Sequence, residues 1–452
     1  MKYFRPKFRS EGKTSRRRRR RLVLCAALFL LVLTAQPAFA QKLGEYDRER
    51  GRQMLKTLKD DIKKNYYDPT FRGIDIEARF READEAIKQA QSNGQIFGII
   101  AQVLVGFNDS HLYFIPPQRP ARTDYGWQMQ MIGERCYVSA VKPGSDAETK
   151  GLREGDIVRA VDGMVPTRED LWKIEYLLYA LRPQAGMRVV VERAGSPPRQ
   201  LDVMAKVTEL KRLTDLTDGN EIMKLIVEQQ KASRLYRHRY IDIKDELFVW
   251  KMPQFDLPKA KVDDMADKFR KSKGVILDLR GNGGGAEETL LRLIGNFVER
   301  DVAVGELKTR KGAKPMTAKT VGDKAYKGKL VVLVDSDSGS SSEVFARVMQ
   351  LEKRAHVLGD RTSGAVMRAM HHSHQVGMDI VAFYGVSVTD ADLLMTDGKS
   401  LEHVGVTPDE VLLPTPADMA AKRDPVLARA AELLGVKITP EQAGQMFPIE
   451  WQ

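Results

Sequence analysis

The sequence predicts a multidomain α/β protein, with an α/β core, a mostly-β module inserted before it and helical regions at both ends. Three observations predict this. From residue 263 onward, Val275-Ile276-Leu277-Asp278-Leu279 and Leu330-Val331-Val332-Leu333-Val334 are short apolar runs of the kind found in buried parallel strands. Each is followed by a polar or glycine-rich loop and then a helical pattern. Residues 121–207 carry short β-branched runs instead, such as Val189-Val190-Val191, with the turn signals Pro143-Gly144, Gly155-Asp156 and Asp162-Gly163 between them. In residues 45–100, Met54, Leu55, Leu58 and Ile62 recur at helical spacing.

In chain order, residues 1–40 come first. The protein has 452 residues and a formal charge of +12, which by itself would suggest a polyanion partner. Eleven basic residues and one acid fall within 1–40, leaving 62 basic and 60 acidic residues in the other 412. The excess is therefore local and no nucleic-acid partner is expected. The basic stretch ends at Arg21, an apolar run Leu22–Leu33 follows, and Gln36-Pro37-Ala38-Phe39-Ala40 closes the segment. This is the pattern of a cleavable signal peptide, with cleavage expected after Ala40 and a periplasmic or otherwise exported product. Retention as an uncleaved anchor is the alternative, and would be the protein's only route to a membrane. The segment after Ala40 keeps one cysteine, Cys136, so no internal disulfide and no cysteine-based zinc site is expected there.

The remaining boundaries follow the composition. Residues 41–120 are a helical region containing a Ser-His loop, Asn108-Asp109-Ser110-His111. Residues 121–207 are the β module, and 208–262 are a charged connecting segment. Residues 263–415 are the α/β core, and 416–452 are C-terminal helices. Asp424-Pro425 and Thr439-Pro440-Glu441-Gln442 are helix starts, with Gly435 placed to end the first helix.

Three places could carry chemistry. Gly281-Asn282-Gly283-Gly284-Gly285 follows a buried strand, where successive glycines can aim backbone N–H groups at one oxyanion or phosphate. Gly281, Gly283 and Ala286 also match a dinucleotide fingerprint, but the region lies mid-chain and such cofactors are cytoplasmic. Ser338-Gly339-Ser340-Ser341-Ser342-Glu343 lies between the second buried strand and a helical pattern, where ligands bind α/β sheets. On residue type alone it reads more readily as caps and turns than as a nucleophile. Ser110-His111 is the third. The cluster His371, His372 and His374 has no carboxylate at ligand spacing beside it and reads as a strand or loop, so no metal is expected.

Together these pieces resemble a family, the carboxyl-terminal processing (tail-specific) serine peptidases. Gly274–Gly285, with Asp278-Leu279-Arg280-Gly281-Asn282-Gly283-Gly284-Gly285, is similar to their DLRGNxGG segment, and Ser338–Glu343 to their SxSxSE nucleophile segment. Gly359–Gly364 resembles the GxxTxG that follows, and Gly405-Val406-Thr407-Pro408-Asp409 the terminal GVxPD. Residues 121–207 look like the PDZ domain many members carry, with Gly151-Leu152 and Gly155-Asp156-Ile157 in its usual place. One position departs from the pattern. The Ser/Lys members place a general-base lysine after the GxxTxG glycine, and here that residue is Ala365. The tricorn-like branch instead resembles this chain through a Ser-His pair and a downstream Glu.

That resemblance implies a crotonase/ClpP-like superhelical core and a serine endopeptidase without cofactor. Ser340 would be the nucleophile and His111 the general base. Ser110 and Glu402 would orient and charge-stabilise the imidazole, and the N–H groups of Gly284 and Ser341 would form the oxyanion hole. The N-terminal helices would have to fold back on the core to bring His111 to Ser340. Tyr125, Gly126, Trp127, Gln128 and Met129 would form the peptide-binding loop of the PDZ-like module. The expected partners are proteins or peptides with exposed C-termini. A catalytically inactive peptide-binding scaffold is the alternative, and a nucleotide-binding oxidoreductase a remote third.

Overall fold

A computed structural model describes residues 43–209, 237–377 and 381–451. The expected export segment, 1–40, and residues 210–236 of the connecting segment lie outside the described residues.

Helices α1 (Glu45–Asn65), α2 (Ile76–Lys88) and α3 (Asn93–Val105) open the described chain. The stripe Met54, Leu55, Leu58 and Ile62 is the buried face of α1. Asp75 and Ser92 cap α2 and α3 by accepting the N–H groups of Ala78 and Gln95, which lack partners within their helices. The chain then turns through Ser110-His111 into the short strand β1 (Tyr113–Ile115).

The β-rich module follows. A ribbon of β2 (Ala121–Asp124) and β8 (Lys206–Glu209) forms its neck. Between them, β3 (Trp127–Ile132), β4 (Arg135–Val141), β5 (Ile157–Val161), β6 (Gly186–Glu192) and β7 (Arg199–Met204) make an antiparallel sheet in that order, so β3 is an edge strand. The short helices α4 (Asp146–Thr149) and α5 (Leu171–Glu175) cover the sheet. α5 continues into a wider helical turn over Tyr176–Leu181. Trp127, Met129, Val138, Leu178 and Val189 form the module's own apolar core.

The core is built on two sheets. The first runs β18 (Glu410–Val411), β15 (His356–Gly359), β14 (Lys329–Val334), β11 (Gly274–Asp278), β10 (Leu247–Lys251), β9 (Arg239–Ile243). It is parallel except for the β9–β10 pair. Its two apolar strands, β11 and β14, are neighbours buried on both faces, which is why they read as continuous runs. Helices α6 (Lys259–Phe269), α7 (Glu287–Phe297) and α8 (Ser341–Leu351) belong to this region. Val344, Phe345, Val348 and Met349 hold α8 in the main apolar cluster, each contributing roughly 1.5–3 kcal/mol by burial. The C-terminal helices α9 (Pro416–Ala420), α10 (Pro425–Leu433) and α11 (Pro440–Met446) follow. α10 and α11 pack on the other face of the sheet.

In the second sheet, the long strand β17 (Ala382–Met395) pairs with β16 (Met367–Val376) along one side. Along the other it pairs with β1 and with β12 (Val302–Thr309), which in turn pairs with β13 (Gly312–Ala318). The N-terminal helices pack on this sheet: Leu58, Phe80, Ile100 and Leu104 share one cluster with Tyr384, Val386 and Val388. This contact folds the N-terminal helices back onto a strand near the end of the chain. Among the described residues no helix is long and apolar enough to cross a membrane.

Candidate active site

The segment Asp335–Gly339 links β14 to α8, and Ser340 stands at the junction. Its backbone is at φ 52°, ψ −117°, a conformation that is strained for any residue with a Cβ. Gly339 N–H donates to Asn282 O at 2.9 Å, and Ser363 N–H donates to Ser338 O at 3.0 Å. These bonds hold the segment between the glycine-rich loop and the segment that leads to β16. Glycine is required at 284, where φ is +103°: a Cβ there would lie 2.6 Å from Ser340 Cβ and 3.0 Å from both Gly339 O and Ser341 N.

A buried carboxylate pins the Ser-His loop. Asp109 accepts hydrogen bonds from Tyr66 Oη at 2.9 Å, Thr389 Oγ1 at 2.7 Å and His111 N at 3.0 Å. The loop is then clasped to Glu402. Ser110 N–H donates to Glu402 Oε1 at 2.9 Å, and Ser110 Oγ donates to Glu402 Oε2 at 2.8 Å. His403 Nε2 donates to Asn108 O at 2.9 Å, a second tie between the same two segments. Val366 N–H also donates to Glu402 Oε2, at 2.9 Å.

Ser110 Oγ lies 2.8 Å from His111 Nδ1. The donor roles follow from the inventory of protons. An ionised Glu402 only accepts, so the single hydroxyl proton of Ser110 goes to it. The hydroxyl oxygen then accepts from Nδ1–H, which leaves the lone pair of the imidazole on Nε2. Burial holds His111 below the ordinary histidine value. The fields of Glu402 and Asp109 pull the other way, and that of His371 adds to the lowering. The result is a neutral imidazole at pH 7, oriented and able to accept a proton at one nitrogen.

The expected residues are distributed as follows. Ser110, His111 and Glu402 are joined in one relay. Ser340 and Glu343 form a capping box at the start of α8, and among the described residues no hydrogen bond joins Ser340 Oγ to His111. Ser340 N–H donates to Ala365 O at 2.9 Å, and the next residue, Val366, is the one bonded to Glu402. Ser341 N–H, at the first turn of α8, has no hydrogen-bond acceptor among the described residues. The expected donor at Gly284 needs correction. Its N–H is already given to Asn282 Oδ1 at 2.8 Å, because the tight turn closes on the asparagine side chain.

The expected peptide-binding loop is also different in form. Trp127, Gln128 and Met129 lie on edge strand β3, and only Tyr125 and Gly126 are in the turn before it. Tyr125, Trp127 and Met129 face the module's core, and Gln128 is exposed. Gly126 N–H donates to Asp124 Oδ1 at 2.9 Å. The histidines of the cluster lie on β16. His371 meets Tyr113 Oη at 3.3 Å and His374 meets Asp61 at 2.6 Å.

Residues 249–412 match the model of peptidase family S41. The match is to a family of peptidases, which are hydrolases. The chain is 24% identical over 370 residues to a chloroplastic C-terminal processing peptidase of Tetradesmus obliquus, covering 78% of this chain and 75% of that protein. It is 26% identical over 245 residues to the tail-specific protease of Haemophilus influenzae, covering 53% of this chain and 33% of that protein. It is 25% identical over 391 residues to putative tricorn protease homolog 2 of Streptomyces coelicolor, covering 82% of this chain and 31% of that protein. The chain thus spans about a third of the length of the last two. Mature CPAF complexed with lactacystin shares the fold at a TM-score of 0.61 and 15% identity, over 86% of this chain and 98% of that one. The photosystem II D1 C-terminal processing protease does so at 0.50 and 19%, over 87% and 99%.

Sequence reasoning missed two residues that hold this site together. Glu343 was seen only as the end of a motif, yet its spacing from Ser340 is that of a capping box. Asp109 was seen as a neighbour of Ser110, and nothing in the sequence says that Tyr66 and Thr389 would meet it.

Proposed function

We propose that the protein is an exported serine endopeptidase that uses a Ser-His-Ser-Glu relay in place of a Ser-Lys pair. The single observation that carries this reading is the relay itself. Glu402 accepts from Ser110, Ser110 accepts from His111 Nδ1, and Nε2 is left as the base. In the proposed reaction Ser340 Oγ attacks the scissile carbonyl carbon as its proton passes to His111 Nε2. Ser110 and Glu402 hold the ring and offset its positive charge. Ser341 N–H, at the positive end of α8, stabilises the oxyanion. Gly284 N–H would join it only on release from Asn282. His111 then protonates the leaving amine, and a water molecule activated by the same nitrogen hydrolyses the acyl-enzyme. The Ser340–His111 hydrogen bond is expected to close in the substrate complex, as such bonds commonly do.

Residues 121–207 would act as a PDZ-like module that adds an exposed C-terminal peptide to the free edge of β3 at Trp127–Met129. Its antiparallel sheet with an open edge strand supports this. The composition of residues 1–40 supports export. The substrates would be cell-envelope proteins or peptides, and no cofactor takes part.

A second reading is a catalytically inactive scaffold. It is favoured by Ala365 at the lysine position and by the lack of a Ser340–His111 hydrogen bond among the described residues. Cleavage of an unfolded protein such as casein, comparing the parent with His111→Ala and Ser340→Ala, decides between them. The peptidase reading expects loss of cleavage in both variants; an inactive parent would favour the scaffold.

A further inference from the structure

We propose that Glu343 is a positioning residue for this reaction. Its carboxylate clamps Thr362–Ala365 to the backbone of Ser340. Glu402 holds the next residue, so this short segment sets the spacing between the Ser340 hydroxyl and the His111 imidazole. The inference rests on the assignment of Ser340 and His111 made above.

Glu343 is completely buried, in the first turn of α8. Five donors converge on it. Oε1 accepts from Thr362 Oγ1 at 2.6 Å and from Gly364 N at 2.8 Å. Oε2 accepts from Ser340 N at 2.9 Å, Ala365 N at 3.0 Å and Ser363 Oγ at 3.2 Å. Only Ser340 N is a group that a capping residue would satisfy. The other four donors belong to the segment that runs towards Glu402. A helix cap alone would not call for burying a carboxylate, which is costly unless every lone pair is used.

The segment it holds is short and closed at both ends. Ala365 O accepts the Ser340 N–H at 2.9 Å, and Val366 N–H donates to Glu402 Oε2 at 2.9 Å. Gly364, at φ +74°, lets the segment pass against His403 and Val404, where a Cβ would meet backbone at 3.0 Å. Two carboxylates therefore grip one strut. Glu343 grips it on the nucleophile side and Glu402 on the base side. The strained Ser340 backbone needs such a restraint, because relaxation there would swing the hydroxyl away from Nε2.

The test is steady-state peptide hydrolysis by the parent, Glu343→Gln, Ser363→Ala and Ser340→Ala. Rates are expressed per site titrated with a fluorophosphonate, and folding is followed by thermal melting. Glutamine keeps the shape but turns an NH2 towards two donors. The expected result for Glu343→Gln is a kcat lowered about 10–100-fold with KM within about threefold. Ser363→Ala, which removes only the longest of the five bonds, should lower kcat about 2–5-fold. A folded Glu343→Gln variant with the parent's kcat per titrated site would overturn the proposal, since a purely structural role would change the number of sites and not their rate. If that variant does not fold, Ser363→Ala decides: an unchanged kcat overturns the proposal and a lowered one supports it. An inactive parent, or an active Ser340→Ala, would instead bring down the assignment of Ser340 and His111, and this inference with it.

Discussion

Glu402 grips Ser110 twice, through the backbone N–H at 2.9 Å and the hydroxyl at 2.8 Å, although the two residues are 292 positions apart in sequence. The backbone bond fixes where the Ser-His loop sits, and the hydroxyl bond fixes where its proton points. One residue thus connects the packing of the N-terminal helices on the second sheet to the tautomer of the imidazole.

Removing the middle of the relay tests it. Ser110→Ala should lower kcat about 10²-fold and leave KM within a few-fold, because the ring loses orientation but the substrate loses no contact. Glu402→Gln should cost about as much. The two changes together should cost little more than either alone, since they break one chain of bonds. Additive losses in a double-mutant cycle would argue against a relay.

The pH profile follows from His111. Its folded value lies below the ordinary 6.5, chiefly through burial, so the acid limb of kcat/KM should fall below about pH 6.5. The field of Glu402 raises that value, so Glu402→Gln should move the limb to lower pH. Stability changes in a definite direction as well. Between the unfolded and folded values the unfolded chain binds more protons, so this group's contribution to stability is lost as pH falls through that window. Melting temperatures of the parent and His111→Ala should therefore diverge in their pH dependence below about 6.5. A limb that moves upward in Glu402→Gln would contradict the assignment.

At Gly284 the expectation is steric. A Cβ 2.6 Å from Ser340 Cβ cannot be accommodated without moving the nucleophile. Gly284→Ala should lower kcat by at least about tenfold while the bulk fold survives, a combination that activity and circular dichroism measured together would reveal. Wild-type activity in this variant would mean that the Ser340 turn is not held against the glycine loop.

The β module rests directly on the nucleophile segment. Gln130 Nε2 donates to Asp335 at 2.7 Å and Ser336 Oγ to Met131 O at 2.6 Å. Arg168 bonds Asp360 at 2.5 Å, with both side chains about nine-tenths buried. Arg168→Ala leaves Asp360 without its charge partner, so it should loosen this docking at a cost of about 3–5 kcal/mol. Hydrogen exchange should accelerate in residues 130–134 and 335–337, with β10 and β11 unchanged. Protection equal to the parent's in both segments would show that Arg168 does not hold the module in place.

Much of this was legible in the residues, for identifiable reasons. β11 and β14 read as buried strands because both faces are covered, and Asp424 and Thr439 announced the last helices through their own side chains. Ser110, His111 and Glu402 were picked out by resemblance and not by chemistry, since each is a common residue in a polar loop. The β16–β17 pair was obscure because the middle of β16 is exposed or half-buried and carries no continuous apolar run. The convergence of five donors on Glu343 could not be read at all. Four of them come from a segment about twenty residues away whose path depends on β15, Gly364 and Glu402 together. The spent N–H of Gly284 was hidden for a similar reason: the Asn282 side chain decides it, and the motif does not say which way that side chain turns.

The central claim is that His111, oriented by Ser110 and Glu402, makes Ser340 the nucleophile. The measurement that tests it most directly is fluorophosphonate labelling, with the modified residue located by peptide mass spectrometry. The account predicts a single adduct on Ser340, formed at least about 10²-fold more slowly in His111→Ala. No adduct on the folded protein, or an adduct on Ser340 whose rate is unchanged in His111→Ala, would contradict it.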